Sequence, residues 1–442
     1  MDHPNIKNRP RKLLSIESQL SDESEKILNG LGVKYGTVKL SDYSSTGVVQ
    51  ADSLFIATFN GDNSFLEKFC ETIDGQVESL VCVFQEDAPS TRVIGLLKEK
   101  IYSFAELVVI DEKSVAFLTG RAIKSYTDVE KAGEELVQTG MKSLLILCDR
   151  LSDSSYDRAL FCDSGGTYWL TSEKGGTALK KISTLATAIA GSMSVGLSVR
   201  DSVVLGTSLY KSSVRSADGF FKQCDLPWIN GSAEDGETLF TFPTLPPAGR
   251  VYPIVDSFEW VERLVTLGVK TLQLRIKGFT GSRLEEEIKK SIEVSGKAGA
   301  RLFINDFWEL AIKHSAYGVH LGQDDLLTAD IRAIEKAGLR LGVSTHCYFE
   351  AAVAHGLRPS YIAFGPVYHT ELKAMDFAPQ GIGNLKTWRR FFDYPLVAIG
   401  GITLERADEI LEGEPDYISV VRDITLSKNP DEKVKSWLKV GE

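Results

Sequence analysis

Between residues 251 and 421 the chain carries eight short apolar runs: VYPIV (251 to 255), TLQLR (271 to 275), ARLFI (300 to 304), GVHL (318 to 321), RLGVS (340 to 344), YIAFG (361 to 365), LVAIG (396 to 400) and YISVV (417 to 421). Amphipathic segments separate them. Continuous apolar strands of this length are buried on both faces, and parallel neighbours need a helical crossover, so eight βα units in about 190 residues predict a compact TIM (β/α)8 barrel. The segment SRLEEEIKKSIEVSGKAG reads as one crossover helix, with Ser282 and Glu285 at capping-box spacing and Gly296 or Gly299 placed to stop it. On such a barrel, reacting groups sit at strand C-termini and in the loops that follow.

The remaining length needs a second core. At roughly 100 to 200 residues per domain, 442 residues imply two or three domains. The segment SAEDGETLFTFPTLPPAGR breaks the periodicity, which divides the chain into a domain over 1–231, a linker over 232–249 and the barrel over 250–442. Five of the six histidines, His314, His320, His346, His355 and His369, follow the boundary, so imidazole chemistry belongs to the barrel half. A formal charge of 50 minus 60, or -10, disfavours nucleic acid and anionic membranes as partners but leaves small anions to local groups. The first twenty residues contain no apolar signal region and no run of eighteen apolar residues occurs, so a cytoplasmic protein is expected. The six cysteines, Cys70, Cys82, Cys148, Cys162, Cys224 and Cys347, form no C-x-x-C pair and read as small buried apolar residues, mostly in strands.

Polar groups gather at the predicted strand ends. Gln273, Arg275 and Lys277 close strand two, where period-2 alternation turns all three to the barrel mouth while Leu274 and Ile276 face the helices. Asn305 and Asp306 follow strand three, Gln323 to Asp325 strand four, Ser344 and His346 strand five, and Thr370 and Lys373 strand six. Gly400 and Gly401 follow strand seven, and Val421 and Arg422 strand eight. Two cations and an amide on one rim suit a polyanionic phosphate. Asp306 and Asp325, carboxylates at consecutive strand ends, suit Mg²⁺ completed by water and phosphate oxygens. The Gly-Gly turn and the backbone after strand eight fit a second, monophosphate site. Singly, each feature has a plainer reading: Asp306 as a helix cap, His320 as a core histidine, His346 and Cys347 as structural, Lys373 as a solvated lysine, Gly400-Gly401 as a tight turn. Their joint occurrence at the correct end of the correct strands favours a site.

The stretches YPIVDS, TLQLRIKG, RLFINDFWELAIKHSAYGVHLGQDDL, LGVSTH, PSYIAFGPVYHTELKAMDFAPQG and VAIGGI resemble the thiamine-phosphate synthase family in order and spacing, over nearly all of residues 245 to 440. The resemblance implies a transferase joining a hydroxymethylpyrimidine diphosphate to a thiazole monophosphate, giving thiamine phosphate and pyrophosphate. It implies that Gln273, Leu274, Arg275, Ile276, Lys277, Asn305, Ser344 and Lys373 bind the pyrimidine diphosphate, with Arg275, Lys277, Ser344 and Lys373 acting on the reacting group. Asp306 and Asp325 would hold Mg²⁺, while Thr370, Glu371, Leu372, Gly401, Val421 and Arg422 would surround the thiazole phosphate. It further implies a dissociative substitution, which needs charge neutralisation and positioning and no side-chain nucleophile. The chain departs from the family pattern at Ile276, where many members carry Glu, at Leu372, where a second Thr is usual, and at V-V-R-D, which replaces a sequence ending in Ser.

The first half also alternates strands (LFIATF, SLVCVF, AELVVI, SLLILC) with helices such as DVEKAGEELVQTG, which predicts an open α/β sheet. It resembles a hydroxymethylpyrimidine-phosphate kinase of the ribokinase-like group from AELVVIDEKSVAFLTG through KSLLILC to KKISTLATAIAGSMSVG. Where that family carries Gly-Thr-Gly-Cys, this chain has Lys180, Lys181, Ile182 and Ser183, and S-I-E-S-Q-L-S-D-E-S replaces an early Gly-rich stretch. The resemblance thus implies a kinase fold whose nucleotide chemistry is lost. Three alternatives stay open: a bifunctional kinase and synthase, a barrel that binds or isomerises a thiazole phosphate, and a first half that serves as a non-enzymatic sensor of pyrimidine phosphates. Phosphorylated pyrimidine and thiazole molecules are the expected partners, with a homo-oligomer left open.

Overall fold

The computed structural model describes residues 12–16, 20–38, 53–59, 64, 68–69, 80–84, 91–103, 105–148, 151, 156–174, 181–215, 221–232, 240–370 and 378–441. They fall into two compact units, one within 6–238 and one within 239–442.

The first unit is built on strands β1 (Lys12–Ile16), β2 (Tyr35–Val38), β3 (Ser53–Phe59), β4 (Leu80–Phe84), β5 (Leu107–Asp111), β6 (Ser143–Leu147), β7 (Tyr156–Asp163), β8 (Gly166–Glu173) and β9 (Trp228–Asn230), in sheet order β2-β1-β3-β4-β5-β6-β7-β8-β9. Pairing is parallel through β6 and antiparallel from β7 onward. The apolar runs behind β3 to β6 mark strands buried on both faces. Strand β7 escaped that pattern because YDRALFCD carries charges, yet Asp157 and Arg158 are both buried in it. Arg158 donates to Tyr126 Oη at 2.9 Å and lies over that ring, which offsets part of the cost of burying it. The helix expected over 128–140 runs Tyr126–Gln138, and its Ser125 and Asp128 form a capping box. Cys82, Cys148 and Cys162 are buried as expected, whereas Cys224 is exposed and Cys347 intermediate. Cys70 and Lys180 lie outside the described residues.

The second unit closes β10 (Val251–Val255), β11 (Thr271–Leu274), β12 (Arg301–Asn305), β13 (Gly318–Leu321), β14 (Arg340–Thr345), β15 (Tyr361–Phe364), β16 (Leu396–Ala398) and β17 (Tyr417–Val420) into a barrel. All pairs are parallel, and β17 returns to β10 with Ile418 opposite Val251. Each expected run coincides with a strand to within two residues. The interior is aromatic: Tyr252 lies 6.0 Å from Phe303, 5.8 Å from Tyr361 and 6.2 Å from Tyr417 between ring centroids.

The segment 240–249, expected as the end of a linker, fastens to the N-terminal ends of the strands. Leu245 is buried and donates its N–H to Ser360 O at 3.1 Å, and Pro246 O accepts from Tyr417 Oη at 2.5 Å and from Arg301. These contacts floor the barrel and leave the C-terminal ends as its mouth. The crossover helix Gly281–Lys297 starts differently from expectation. Its N-cap is Thr280, and Glu285 pairs with Lys313 at 2.6 Å and His314 at 2.8 Å, so the Ser282–Glu285 capping box does not form. Gly299, at φ +62°, ends the helix as expected.

Candidate active site at the barrel mouth

Strand β11 ends at Leu274, so only Gln273 points into the barrel from within a strand, and Arg275 and Lys277 follow its end. Gln273 is 2% exposed and donates from Nε2 to Tyr252 Oη at 3.4 Å, which places it inside the barrel, below the rim expected from sequence. Arg275 is half-buried, with its N–H donating to Val255 O at 2.7 Å, and Lys277 is exposed. Leu274 and Ile276 are buried, as the alternation with Gln273, Arg275 and Lys277 predicts.

Asp306 and Asp325 come together across the ends of β12 and β13. Asp306 adopts φ 65°, a left-handed conformation that Asp tolerates better than most residues, and donates its N–H to His320 O at 3.0 Å. The following helix, Trp308–Lys313, is capped at Phe307 with no side-chain bond, so Asp306 is not its cap. Burial and the neighbouring Asp325 carboxylate raise the Asp306 pKa to about 6, against the pull of Arg275 and a hydrogen bond from Asn305. Asp325 itself accepts from Gly322 N–H at 3.2 Å. Among the described residues no three His, Cys, Asp or Glu side chains cluster around a metal position. The pair therefore offers two hard oxygen donors with excess negative charge, which fits a divalent cation that takes its other ligands from water and phosphate.

Beneath the mouth runs a buried polar chain. Tyr252 Oη lies 2.8 Å from Tyr361 Oη, Tyr361 Oη 2.8 Å from His320 Nδ1, and His320 Nε2 2.9 Å from Ser344 Oγ. Burial first, then the charges of Arg275 and His346, lowers the His320 pKa to about 3, so the imidazole is neutral and carries one donor and one acceptor. Gln323 donates from Nε2 to Ser344 O at 2.6 Å, so Ser344 is held through both its hydroxyl and its carbonyl. Beside it, Glu350 Oε2 accepts from His346 N–H and stands 2.7 Å from His346 Nδ1, while Gln380 Nε2 donates to His346 O at 3.0 Å. Tyr252, Tyr361, Glu350 and Gln380 were not singled out from sequence. The spacing of four between His346 and Glu350 was legible, but the tyrosines were hidden in runs that read only as apolar.

The ends of β16 and β17 form the other side of the mouth. Gly400 and Gly401 have φ +103° and +64°. A Cβ on Gly400 would stand 2.6 Å from Pro366 Cα, and one on Gly401 would overlap His369 O, so both positions require glycine. Val421 precedes the short helix Arg422–Thr425, and Arg422 is exposed. Thr370 is half-buried, while Glu371, Leu372 and Lys373 lie outside the described residues. No helix among the described residues is long and apolar enough to cross a membrane.

Comparison with known proteins agrees with this geography. The family described as Thiamine monophosphate synthase matches residues 251–424, and the family described as Phosphomethylpyrimidine kinase matches residues 80–224. A thiamine-phosphate synthase of Cronobacter sakazakii is 56% identical over 42% of this chain and 88% of its own length. That of Salmonella typhimurium is 54% identical over 45% of this chain and 95% of its own. A solved thiamine phosphate pyrophosphorylase from Pyrococcus furiosus is 26% identical over 43% of this chain and 94% of its own, with a TM-score of 0.40. Identity above one half across nearly the whole length of these curated relatives, falling on the half that forms the closed barrel, makes the chain a member of the thiamine-phosphate synthase family.

Proposed function

We propose that the barrel joins its two phosphorylated substrates at the mouth by placing a diphosphate between Arg275 and the Asp306–Asp325 pair, opposite a monophosphate at the ends of β16 and β17. The observation that carries this reading is the pair itself: two carboxylates drawn together, with Asp306 raised to about 6, beside a guanidinium. Asp306 and Asp325 would hold Mg²⁺, which supplies charge neutralisation to the departing diphosphate when bound.

In the reaction, the bond between the pyrimidine methylene carbon and the diphosphate oxygen breaks with its electrons on the diphosphate, and the thiazole nitrogen lone pair forms the new carbon–nitrogen bond. Arg275, Lys277 and Lys373 carry the positive charge that the leaving diphosphate needs. Asn305 and Ser344 orient the pyrimidine half, Ser344 with its hydroxyl aimed by His320. Gln273 steadies Tyr252 below, and Leu274 and Ile276 contribute backbone. Thr370, Glu371, Leu372, Gly401, Val421 and Arg422 take the thiazole phosphate, with Arg422 as a cation where the family pattern has Ser. The thiazole nitrogen is the nucleophile, and no side chain of the protein attacks in this scheme.

The first half is a kinase-like unit that we read as silent in nucleotide chemistry. Lys181 caps the helix Ile182–Ser194 without a side-chain bond to it and turns its ammonium to Glu23, 2.6 Å away. The match to a phosphomethylpyrimidine kinase family over residues 80–224 favours a second reading, in which this half makes the diphosphate. The test is thiamine-phosphate formation by the full chain with Mg²⁺ and thiazole phosphate, supplied with pyrimidine diphosphate or with pyrimidine monophosphate and ATP. Product from the diphosphate alone is expected; product from the monophosphate and ATP makes the first half active, and no product from either removes the scheme.

A further inference from the structure

The two loops that form the monophosphate side of the mouth are tied together by one carboxylate. Asp423 sits in the first turn of Arg422–Thr425, directly after Val421 and Arg422. Its Oδ2 accepts from Leu404 N–H at 3.2 Å, on the 3-10 turn Leu404–Arg406 that follows Gly400 and Gly401, and from Trp437 Nε1–H at 2.7 Å. Its Oδ1 lies 3.5 Å from Lys433 Nζ, and the side chain is 9% exposed. From the other end of the same turn, Arg406 Nη1 donates to Gly401 O at 2.8 Å and its guanidinium lies over the Tyr368 ring, 4.3 Å from the centroid. The loop after β16 is therefore held to itself through Arg406, to the loop after β15 by Tyr368 N–H donating to Gly400 O at 3.0 Å, and to the loop after β17 through Asp423.

We propose that Asp423 is a positioning residue for the thiazole phosphate, acting through the loops and not by contact. Gly400 and Gly401 have positive φ and no side chains to hold them, so the spacing between the Gly401 turn and the Val421–Arg422 turn depends on bonds made elsewhere. A phosphate cradled by two loops is bound well only if both sets of N–H groups are already converged, because ordering them on binding costs affinity. A carboxylate beside an anion site would ordinarily repel the ligand. Here three donors, on Leu404, Trp437 and Lys433, engage it and turn it away from that role. Trp437, 1% exposed, brings the C-terminal helix Pro430–Leu438 into the same clamp.

The inference rests on the reading that the thiazole phosphate lies at the ends of β16 and β17, and the experiment separates the two. Steady-state kinetics are measured on the full chain and on Asp423→Ala, Asp423→Asn and Gly401→Ala, varying each substrate in turn, with urea unfolding of each variant alongside. For Asp423→Ala we expect the thiazole-phosphate KM to rise about tenfold, the pyrimidine-diphosphate KM to stay within about twofold and kcat to fall less than about threefold, the effect of losing one or two hydrogen bonds that shape a single subsite. Asp423→Asn keeps an acceptor for Leu404 and Trp437 and should recover most of that affinity. Equal rises in both KM values, or a fall in kcat alone, would make the clamp merely structural and overturn the proposal. If Gly401→Ala raises the thiazole KM and Asp423→Ala does not, the clamp fails while the site reading stands; if neither raises it, the site reading itself fails and takes the clamp with it.

Discussion

Ser344 Oγ stands 2.9 Å from Nε2 of His320, whose other nitrogen is 2.8 Å from the hydroxyl of Tyr361, so the hydroxyl at the end of β14 is aimed from inside the barrel. A serine on a barrel rim has three rotamers and water to choose from; a buried neutral imidazole removes that freedom.

Replacing His320 by Phe should preserve the ring stacked on Tyr361 while leaving both Tyr361 Oη and Ser344 Oγ without this partner. The expected outcome is a loss of about 1–3 kcal/mol in stability and a rise of about tenfold in KM for the pyrimidine diphosphate. Denaturant unfolding and initial rates at varied pyrimidine diphosphate check both. An unchanged KM in a destabilised protein would confine His320 to the core.

The carboxylate pair gives a sharper test. Asp325→Asn retains an oxygen for Gly322 N–H and removes the charge, so the local turn should survive. Turnover at fixed Mg²⁺ is expected to drop about 100-fold or more, with the Mg²⁺ concentration for half-maximal rate shifted upward. Titrating Mg²⁺ against rate reads this directly, and a wild-type Mg²⁺ curve would remove Asp325 as a ligand.

Stability should depend on pH through two imidazoles. Burial lowers His320 to about 3 and His355 to about 4, His355 helped by the charge of Arg358, against 6.5 for an ordinary histidine. The unfolded chain takes up both protons as pH falls through about 6.5 and the folded barrel does not, so stability rises from about pH 4 to about 6.5 and is lost on acidification. Asp306, raised to about 6, works in the opposite sense with a single proton. Urea midpoints between pH 4.5 and 7 should therefore climb, and His355→Gln, which leaves one imidazole against one carboxyl, should flatten the climb. A midpoint that falls with pH in the unmodified protein would contradict these burial effects.

At Gly401 a side chain meets backbone. Because a Cβ there would overlap His369 O at φ +64°, Gly401→Ala must shift the turn. A cost of about 1–2 kcal/mol in stability is expected, with the larger effect on thiazole-phosphate affinity, measured by calorimetry. Full affinity in Gly401→Ala would place the phosphate elsewhere.

What the sequence determined by itself was the periodic part. Eight apolar runs spaced by amphipathic helices leave a parallel barrel as the way to bury both strand faces, and that fixes Arg275, Asp306, Asp325, Ser344, Gly401 and Val421 at one end before any contact is known. Local chemistry was legible where it depends on near neighbours, as in the stop at Gly299. It misled where a distant partner competes, since Glu285 turns to Lys313 and His314 instead of closing a capping box. Tertiary structure alone decided the rest. That Tyr252 and Tyr361 are polar links and not mere core, and that Gln273 lies below the rim, are consequences of separate strands meeting inside a closed barrel, and that Asp423 ties two loops is a consequence of the closure setting those loops side by side at its mouth. The charged β7 of the first half became a strand for the same reason: Tyr126 and Lys211, supplied from other elements, stand beside the buried Arg158 and Asp157.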